Sequence, residues 1–356
     1  MQSDLNVAIV GVGFMGSAHA RAARLAGARV VGVAASSDGR AKDAAIRLGA
    51  DRAFPSAEAL VTDPDVDVVH LCVPNALHAP LASKALAHGK HVVCEKPLTL
   101  DGASADELLA AQLAAGTVGT VPFVYRFHPM VRELRARIAA GELGRMHLVH
   151  GTYLQDWLAD ASDTDWRLDP AAGGRSRAFA DIGSHWFDLV EFVTGERVVR
   201  LSARFADAFG TRVNEDIALV QFELPGGAVG SVVVSQVSPG RKNALVVECS
   251  GERGSGRFDQ EAPGSLWLGR RDQAVVLAAD PSRLSPDAAR LVVAPAGHPQ
   301  GYLDCIDQFV ADTYAAITGA QLEGLPTFAD GCRSVHLVDT ALQSAAAGGA
   351  WIEVQA

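Results

Sequence analysis

The first part of the chain alternates short apolar runs with longer segments in which apolar residues are spaced for a helix. Runs of roughly four to eight apolar residues between turn signals are typical of strands buried on both faces. Strands are predicted at residues 7–10, 30–34 and 66–73 and from His91, and helices at 17–26, 39–48, 80–88 and 104–115. Strands that alternate with helices of this length predict a parallel, doubly wound α/β sheet.

The pattern changes after Arg126, where one predicted helix at 129–140 is followed by long strands. These strands are predicted at residues 145–154, 198–208, 216–224, 228–237 and 243–251, with a helix at 184–193 among them. Successive strands favour a mostly antiparallel, open sheet in an α+β domain. We therefore expect two domains, 1–124 and 125–356, with the last helices (303–318 and 329–346) packing back towards the first.

Composition and charge narrow the function. Hydrophobic residues make up 49% and charged residues 20% of the chain, as in ordinary globular proteins. The net charge of −10 disfavours nucleic-acid binding, which needs a basic face. Five scattered cysteines without a CxxC pair favour reduced thiols over disulfides or zinc. A polar N-terminus and the lack of an apolar stretch of ~20 residues predict a cytoplasmic protein without a membrane segment.

A glycine-rich turn follows the first predicted strand, in the stretch VAIVGVGFMGSAHARAARLAG. Gly11, Gly13 and Gly16 have the GxGxxG spacing between a strand and a helix, which is the context that a dinucleotide site requires. The first glycine permits the tight turn, the second lets the backbone approach a pyrophosphate, and the third allows close packing of helix and strand. Phe14 and Met15, inside the turn, are expected to contact the cofactor.

The end of the second strand bears on the choice between NAD and NADP. An acidic residue that holds the adenosine ribose of NAD is usual there, but this chain has Ala35. Ser36, Ser37 and Arg40 can donate hydrogen bonds to the 2′-phosphate of NADP, although Asp38 lies nearby and Arg40 can equally be a solvated surface residue. We expect NAD or NADP, with the balance towards NADP.

The segment HVVCEKPLTL places Glu95 and Lys96 at the carboxyl end of a parallel strand, just before Pro97. Ligands bind at this end of open α/β sheets. The proline favours an extended conformation at Lys96. Lys96 is either a cation that contacts a bound ligand or an ordinary lysine of a surface loop.

A second candidate motif is AFADIGSHWFDLVEFVTG. Asp181 and His185 are four residues apart at a predicted helix start, so their side chains share one face. Asp181 can also be explained as a helix N-cap, and His185 as a buried structural histidine.

Together these motifs resemble the glucose–fructose oxidoreductase, inositol dehydrogenase and MocA family. The resemblance rests on the glycine turn, CVPNALH (72–78), CEKP (94–97) and DIGSH (181–185), supported by YLQDWLADASDTDWRLDP and GGRSRAFADIGSH, and it covers essentially the whole chain. Two positions depart from the family pattern. Ala35 leaves the choice of cofactor open, and Val124 stands where relatives often have asparagine.

The resemblance implies a catalytic set of Lys96, Asp181 and His185, and an open sheet in the second domain that makes a homodimer or tetramer. The residues expected at the cofactor, besides the turn, are Pro74, Asn75, His78, Glu95, Lys96, Arg126, Trp166 and Arg167. Those expected at the substrate, besides the catalytic set, are Gln155, Trp166, Arg167 and His298.

The expected reaction is hydride transfer between a secondary alcohol of a sugar, glycoside or inositol and the nicotinamide. His185 serves as the base and Lys96 stabilises the reacting oxygen. Two alternatives remain, namely a sugar–sugar oxidoreductase with a tightly held cofactor and a dinucleotide sensor without turnover. A zinc dehydrogenase is disfavoured because no Cys/His cluster has ligand spacing.

Overall fold

The computed structural model describes residues 5–355. Its helices are α1 (Phe14–Leu25), α2 (Asp38–Leu48), α3 (Ala57–Val61), α4 (His78–Ala87), α5 (Gly102–Ala115), α6 (Pro129–Ala139), α7 (Pro170–Gly173), α8 (Ser184–Thr194), α9 (Pro286–Ala289), α10 (Tyr302–Ile317) and α11 (Phe328–Ala346). Its strands are β1 (Asn6–Val10), β2 (Arg29–Ala34), β3 (Arg52–Ala53), β4 (Val68–Leu71), β5 (His91–Cys94), β6 (Gly119–Thr120), β7 (Met146–Leu154), β8 (Arg200–Ala206), β9 (Ile217–Glu223), β10 (Val229–Ser235), β11 (Ala244–Gly251), β12 (Ser255–Asp259), β13 (Ser265–Gly269), β14 (Ala274–Ala278) and β15 (Ile352–Glu353).

The chain forms two compact units. The first contains the part up to Val124 together with Tyr302–Val335, and the second contains Tyr125–Gly301 and the part from His336 onward. None of the helices in the described residues has the length and apolar character needed to cross a bilayer.

The first unit contains a parallel six-stranded sheet with the order β3-β2-β1-β4-β5-β6. This is the order of a dinucleotide-binding sheet, and it reverses between β1 and β4, where the carboxyl ends of the strands open a ligand crevice. β4 is buried along its whole length, as a central parallel strand must be. The doubly wound α/β prediction is confirmed.

Local sequence sets the helix boundaries of this unit. The Ser37 side chain caps α2, and the Asp101 side chain caps α5, each accepting from a backbone N–H in the first turn. Gly49 and Gly116 end the same two helices in the left-handed conformation, which glycine adopts without a Cβ clash.

The second unit contains a nine-stranded sheet with the order β14-β13-β12-β11-β7-β10-β9-β8-β15. The pairing of β7 with β10 is parallel and the other pairings are antiparallel. Burial alternates along β9 and β10, so one face of the sheet packs on the core and the other is more open. The prediction of a mostly antiparallel sheet is confirmed.

Candidate functional site

The three glycines of the turn differ in what surrounds them. Gly11 has a φ of +90°, and a Cβ there would lie 2.0 Å from the carbonyl oxygen of Cys72. A Cβ on Gly16 would lie 1.9 Å from the Gly11 carbonyl oxygen. At Gly13, in contrast, a Cβ would meet no atom of the described chain within 4 Å. The backbone at Gly13 therefore faces open space, as the approach of a pyrophosphate requires.

Helix α1 starts at this turn and directs its amino end towards the same space. In the described structure no side chain caps its first turn, so the N–H groups there are available to an anion. Phe14 is 68% exposed, whereas Met15 is half-buried, with its sulfur 3.9 Å from the hydroxyl of Tyr302. The turn thus fits the phosphate groups of a dinucleotide.

Arg47 of α2 fastens the turn, a role that the sequence pattern does not reveal. Its guanidinium donates to the Val12 carbonyl oxygen and to Ser17 Oγ, both at 2.8 Å. Two bonds from one planar group fix the loop between β1 and α1 against its neighbour helix.

The segment after β2 carries the residues predicted to bind the adenosine end. Ser36, Ser37 and Arg40 are exposed, and Arg40 NH1 donates to Ser36 Oγ at 3.2 Å. Asp38 is paired with Lys42, Oδ2 to Nζ 2.6 Å. This pairing raises the pKa of the Lys42 ammonium, so the Asp38 charge is offset locally.

Beyond β4, the structure places Pro74 and Asn75 at the start of a short 3₁₀ turn, with Asn75 buried. His78 is fully buried and contacts two carbonyl oxygens, that of Pro97 at 2.7 Å and that of Val73 at 3.0 Å. Burial lowers its pKa, and the two backbone contacts oppose that shift. The histidine joins the chain after β4 to the chain after β5.

Lys96 is the second residue after β5, and its peptide bond to Pro97 is cis. The neighbouring Glu95 is buried, and its Oε2 accepts a hydrogen bond from the Lys96 backbone N–H at 3.2 Å. Burial and the Glu95 charge raise the pKa values of Cys72 and Cys94 well above the usual range. Both cysteines therefore stay protonated thiols and do not supply a nucleophile.

In the second unit, Asp181 lies within a π-helical turn (Phe179–Gly183) that runs into α8. Its Oδ2 accepts a hydrogen bond from Gln236 Nε2 at 2.7 Å, and its Oδ1 lies 3.5 Å from Arg167 Nε. The aspartate is thus held by two side chains, which the interpretation as a plain N-cap does not account for. A π turn inside a helix is frequent at functional sites.

His185 lies one turn along, in the first turn of α8, and is 5% exposed. Its ring meets the ring of Tyr125 edge-on, with centroids 5.1 Å apart and planes at 87°. Tyr125 also stacks on His128, with centroids 5.9 Å apart. The imidazole is therefore held in one orientation by aromatic packing.

Tyr125 belongs to a polar cluster built around Asn243. The Asn243 amide donates to the Tyr125 hydroxyl at 3.1 Å, and its carbonyl oxygen accepts from Tyr153 and from Gln155, both at 2.8 Å. Trp157 Nε1 donates to Gln155 Oε1 at 2.8 Å. Hydroxyl and amide groups beside aromatic rings are the groups that bind sugar hydroxyls.

The predicted pair Trp166 and Arg167 lies next to Asp181. The Arg167 guanidinium lies over the Trp166 ring at 4.3 Å and over the Trp157 ring at 5.8 Å. Trp166 and Arg167 belong to a 3₁₀ turn (Trp166–Leu168), and the Asp165 side chain caps this turn by accepting from the Arg167 backbone N–H. The structure thus brings Asp181, Arg167 and Trp166 together, and Trp157 links them to the Asn243 cluster.

Two further predicted residues have different surroundings. Arg126 is buried in an ion pair with Asp188, 2.5 Å between NH2 and Oδ1, and lies over the ring of Phe192. His298 is exposed, with Nδ1 3.1 Å from the Pro295 carbonyl oxygen. The roles predicted for Arg126 at the cofactor and for His298 at the substrate stay predictions.

The sequence analysis did not single out Gln236 and Asn243. Gln236 lies just after β10, two residues beyond Val234 and on the same inward face, and it is fully buried. A polar residue where alternation calls for an apolar one was the available signal. Asn243 carried no such signal, because its partners Tyr125 and Tyr153 lie 118 and 90 residues away in the chain.

Comparison with known proteins finds family matches for both parts of the chain. Residues 5–123 match a protein-family model described as "Oxidoreductase family, NAD-binding Rossmann fold", and residues 131–257 match the model of the GFO/IDH/MocA C-terminal domain. The levoglucosan dehydrogenase of Pseudarthrobacter phenanthrenivorans is 32% identical, over 99% of this chain and 98% of that protein. The chain belongs to the GFO/IDH/MocA oxidoreductase family.

Solved structures of the family are similar over the full length. A levoglucosan dehydrogenase in complex with NADH and levoglucosan has a TM-score of 0.92 and 29% identity, with 99% of each chain covered. An inositol dehydrogenase homolog from Azotobacter vinelandii, complexed with NADH and myo-inositol, has a TM-score of 0.90 and 28% identity over 99% of this chain and 98% of that one. The chain is an oxidoreductase that uses a nicotinamide dinucleotide, NAD or NADP.

Proposed function

We propose that the protein is a dehydrogenase that oxidises a secondary alcohol of a sugar, a glycoside or an inositol with NAD or NADP. The observation that carries the proposal is the likeness along the whole chain to a levoglucosan dehydrogenase complexed with NADH and levoglucosan. The hydroxyl-binding groups around Asn243 and the stacked Arg167 and Trp166 suit a compact polyol.

His185 is the proposed base. An imidazole has an unperturbed pKa of ~6.5, which suits it to accept the hydroxyl proton near neutral pH. The C–H bond of the same carbinol breaks, its hydride passes to the nicotinamide, and the alcohol becomes a carbonyl. Asp181, held by Gln236 and Arg167, orients the hydroxyl that loses the proton. The negative charge of the Asp181 carboxylate also favours the imidazolium form of His185.

Lys96 is proposed to donate a hydrogen bond to the reacting oxygen. An ammonium group beside an oxygen that gains negative charge stabilises that charge most where water is excluded. The position of Lys96 after a buried strand, with its backbone N–H bonded to Glu95, provides a fixed starting point for its side chain.

We propose that the cofactor lies against Gly13 and the start of α1, and that the site favours NADP over NAD. Ala35 offers no carboxylate to repel a 2′-phosphate, and Arg40 is held beside Ser36. Asp38 is paired with Lys42, so its carboxylate repels the 2′-phosphate less than an unpaired one would.

A homo-oligomer is proposed to form through the open face of the second unit's sheet. Val229 of β10 lies opposite Leu148 of β7, and Val233 lies opposite Leu219 of β9. All four residues are between 38% and 51% exposed. Apolar pairs exposed on adjacent strands are the mark of a surface that another chain covers.

The proposed activity is tested by assaying nicotinamide absorbance with a panel of inositols, pyranoses and anhydrosugars, each with NAD and with NADP. Turnover of at least one polyol supports the proposal. No turnover with any of them contradicts it. Cofactor that stays bound through dialysis, with hydride passed only between two sugars, would instead favour the sugar–sugar oxidoreductase.

A further inference from the structure

Three buried side chains of the first unit take no part in the proposed reaction. His19 of α1 and His70 of β4 are fully buried, and Tyr314 of α10 is 3% exposed. Polar groups in such a place destabilise the fold unless each finds a hydrogen-bond partner.

They form one chain of hydrogen bonds that ends at Glu95. The Tyr314 hydroxyl lies 2.8 Å from His70 Nε2, and His70 Nδ1 lies 2.8 Å from His19 Nδ1. His19 Nε2 lies 3.2 Å from Glu95 Oε1. The two imidazole rings meet edge-on, with their centroids 5.1 Å apart and their planes at 81°.

The direction of the bonds follows from the two ends. A carboxylate only accepts, so His19 Nε2 carries a proton and donates to Glu95. At the other end, the Tyr314 hydroxyl has no further partner among the described residues, so its proton has His70 Nε2 as acceptor. Burial, reinforced by His19, lowers the pKa of His70 well below its usual range. His70 is therefore neutral and donates from Nδ1 to His19.

The Glu95 carboxylate connects these hydrogen bonds to the backbone of Lys96. One carboxylate oxygen accepts from His19, and the other accepts from the Lys96 backbone N–H at 3.2 Å. We propose that Tyr314, His70 and His19 are positioning residues that orient the Glu95 carboxylate and, through it, the backbone at Lys96. This inference rests on the proposed role of Lys96.

A purely structural role predicts different behaviour. If the buried groups only fill volume, an apolar side chain of similar size at position 19 should serve as well as a polar one. If the bond to Glu95 matters, the replacement must supply both a donor and an acceptor. Glutamine does so, because its amide N–H can donate to Glu95 while its oxygen accepts from His70.

The test compares His19→Leu, His19→Gln and Tyr314→Phe with wild type, measuring kcat, KM for the polyol and the dissociation constant of the reduced cofactor. Thr313→Val is the matched control, since Thr313 is the buried neighbour of Tyr314 on α10 and its hydroxyl bonds Thr120 and the Phe309 carbonyl instead. We expect His19→Leu to lower kcat ~10-fold or more, the effect of losing one hydrogen bond to a charged group. KM and cofactor affinity should stay within ~3-fold of wild type, since no bond to either ligand is lost.

His19→Gln should recover most of the lost kcat, Tyr314→Phe should lower it less than His19→Leu does, and Thr313→Val should leave it unchanged. If Leu and Gln at position 19 behave alike, or if His19→Leu matches the control, the inference is overturned. Lys96→Ala is assayed in parallel. If Lys96→Ala loses activity while the His19 and Tyr314 variants keep theirs, the inference alone is overturned. An active Lys96→Ala enzyme would overturn the proposed role of Lys96 and the inference with it.

The direction of the bonds has a readout that does not depend on activity. Nitrogen NMR of histidine-labelled protein should find His70 as the Nδ1–H tautomer and His19 as the Nε2–H tautomer. An Nε2–H tautomer at His70 would contradict the chain of bonds proposed here.

Discussion

The side-chain amide of Gln236 donates to the Asp181 carboxylate, with Nε2 2.7 Å from Oδ2. Its amide oxygen lies 3.3 Å from NH1 of Arg177, which is itself paired with Asp216 in the core of the second unit. The residue proposed to orient the substrate is thus connected to a buried ion pair. A substitution at Gln236 should therefore lower the reaction rate by disturbing Asp181, although it removes no group proposed to contact the substrate.

Gln236→Leu is expected to lower kcat/KM by ~10-fold and to lower the free energy of unfolding by ~1–3 kcal/mol, because the half-buried Asp181 carboxylate and the buried Arg177 guanidinium each lose a partner. Steady-state kinetics and urea unfolding measure the two effects. Gln273→Leu, at an exposed position, is the control and should change neither. Full activity in Gln236→Leu would mean that Asp181 does not depend on this bond.

Substitutions at the adenosine end of the cofactor site should either weaken the use of NADP or shift the preference towards NAD. Arg40→Ala should lower kcat/KM for NADP by ~10-fold or more while leaving NAD little changed, since a charge-assisted bond to a phosphate contributes ~1.5–3 kcal/mol. Ala35→Asp should shift the preference towards NAD, because its carboxylate can bind a ribose hydroxyl and repels the 2′-phosphate.

The ratio of the two kcat/KM values in wild type and in each variant measures this preference. Arg29→Ala, an exposed arginine at the opposite end of β2 paired with Asp51, serves as the matched control. An unchanged ratio in both Arg40→Ala and Ala35→Asp would contradict the proposed preference for NADP.

The open sheet face predicts a change of oligomeric state. Leu219→Lys combined with Val233→Lys places two charges opposite each other on β9 and β10, and burying them in an interface would cost several kcal/mol. Light scattering coupled to size exclusion should find a smaller species than wild type. Val275→Lys and Val276→Lys on the edge strand β14 are the control, and dissociation by those changes instead would place the interface elsewhere.

His128 predicts acid sensitivity. Burial lowers its pKa to about 4, and neither ring nitrogen has a hydrogen-bond partner among the described residues. As pH falls, the unfolded chain binds a proton near pH 6.5 and the folded chain does so only near pH 4. Stability should therefore fall across this window, by up to ~3 kcal/mol from this residue alone.

His128→Phe keeps an aromatic ring against Tyr125 and Phe258 and removes the titrating group. Urea unfolding between pH 6.5 and pH 4 should give a shallower loss of stability than in wild type. His88→Phe, an exposed histidine, should leave the slope unchanged. Equal slopes in wild type and His128→Phe would mean that folding does not lower the pKa of His128.

Much of the fold was predictable because it depends on local patterns. The glycine turn, the apolar runs at β1, β2 and β4 and the alternation along β9 and β10 each follow from residues close in the chain. The predicted helix at 17–26 begins at Phe14 instead, since the turn itself supplies the first helical residues. Strands β12 to β14 were not predicted, as short strands in a glycine-rich segment carry a weak pattern.

The candidate site was predictable in its motifs and not in its supporting contacts. Lys96, Asp181 and His185 belong to recognisable segments. His70 has its hydrogen-bond partners 51 and 244 residues away in the chain, at His19 and Tyr314, so no short stretch of sequence contains them together. Contacts of this kind exist only once the sheet and helices are packed.

The most direct test of the account is the turnover of His185→Ala with the best polyol of the panel, beside wild type and the exposed-histidine control His88→Ala. Loss of a general base should lower kcat ~100-fold or more. The control should match wild type, and the dissociation constant of the reduced cofactor should not change in either variant. A His185→Ala enzyme within ~3-fold of wild-type kcat would contradict the proposed reaction.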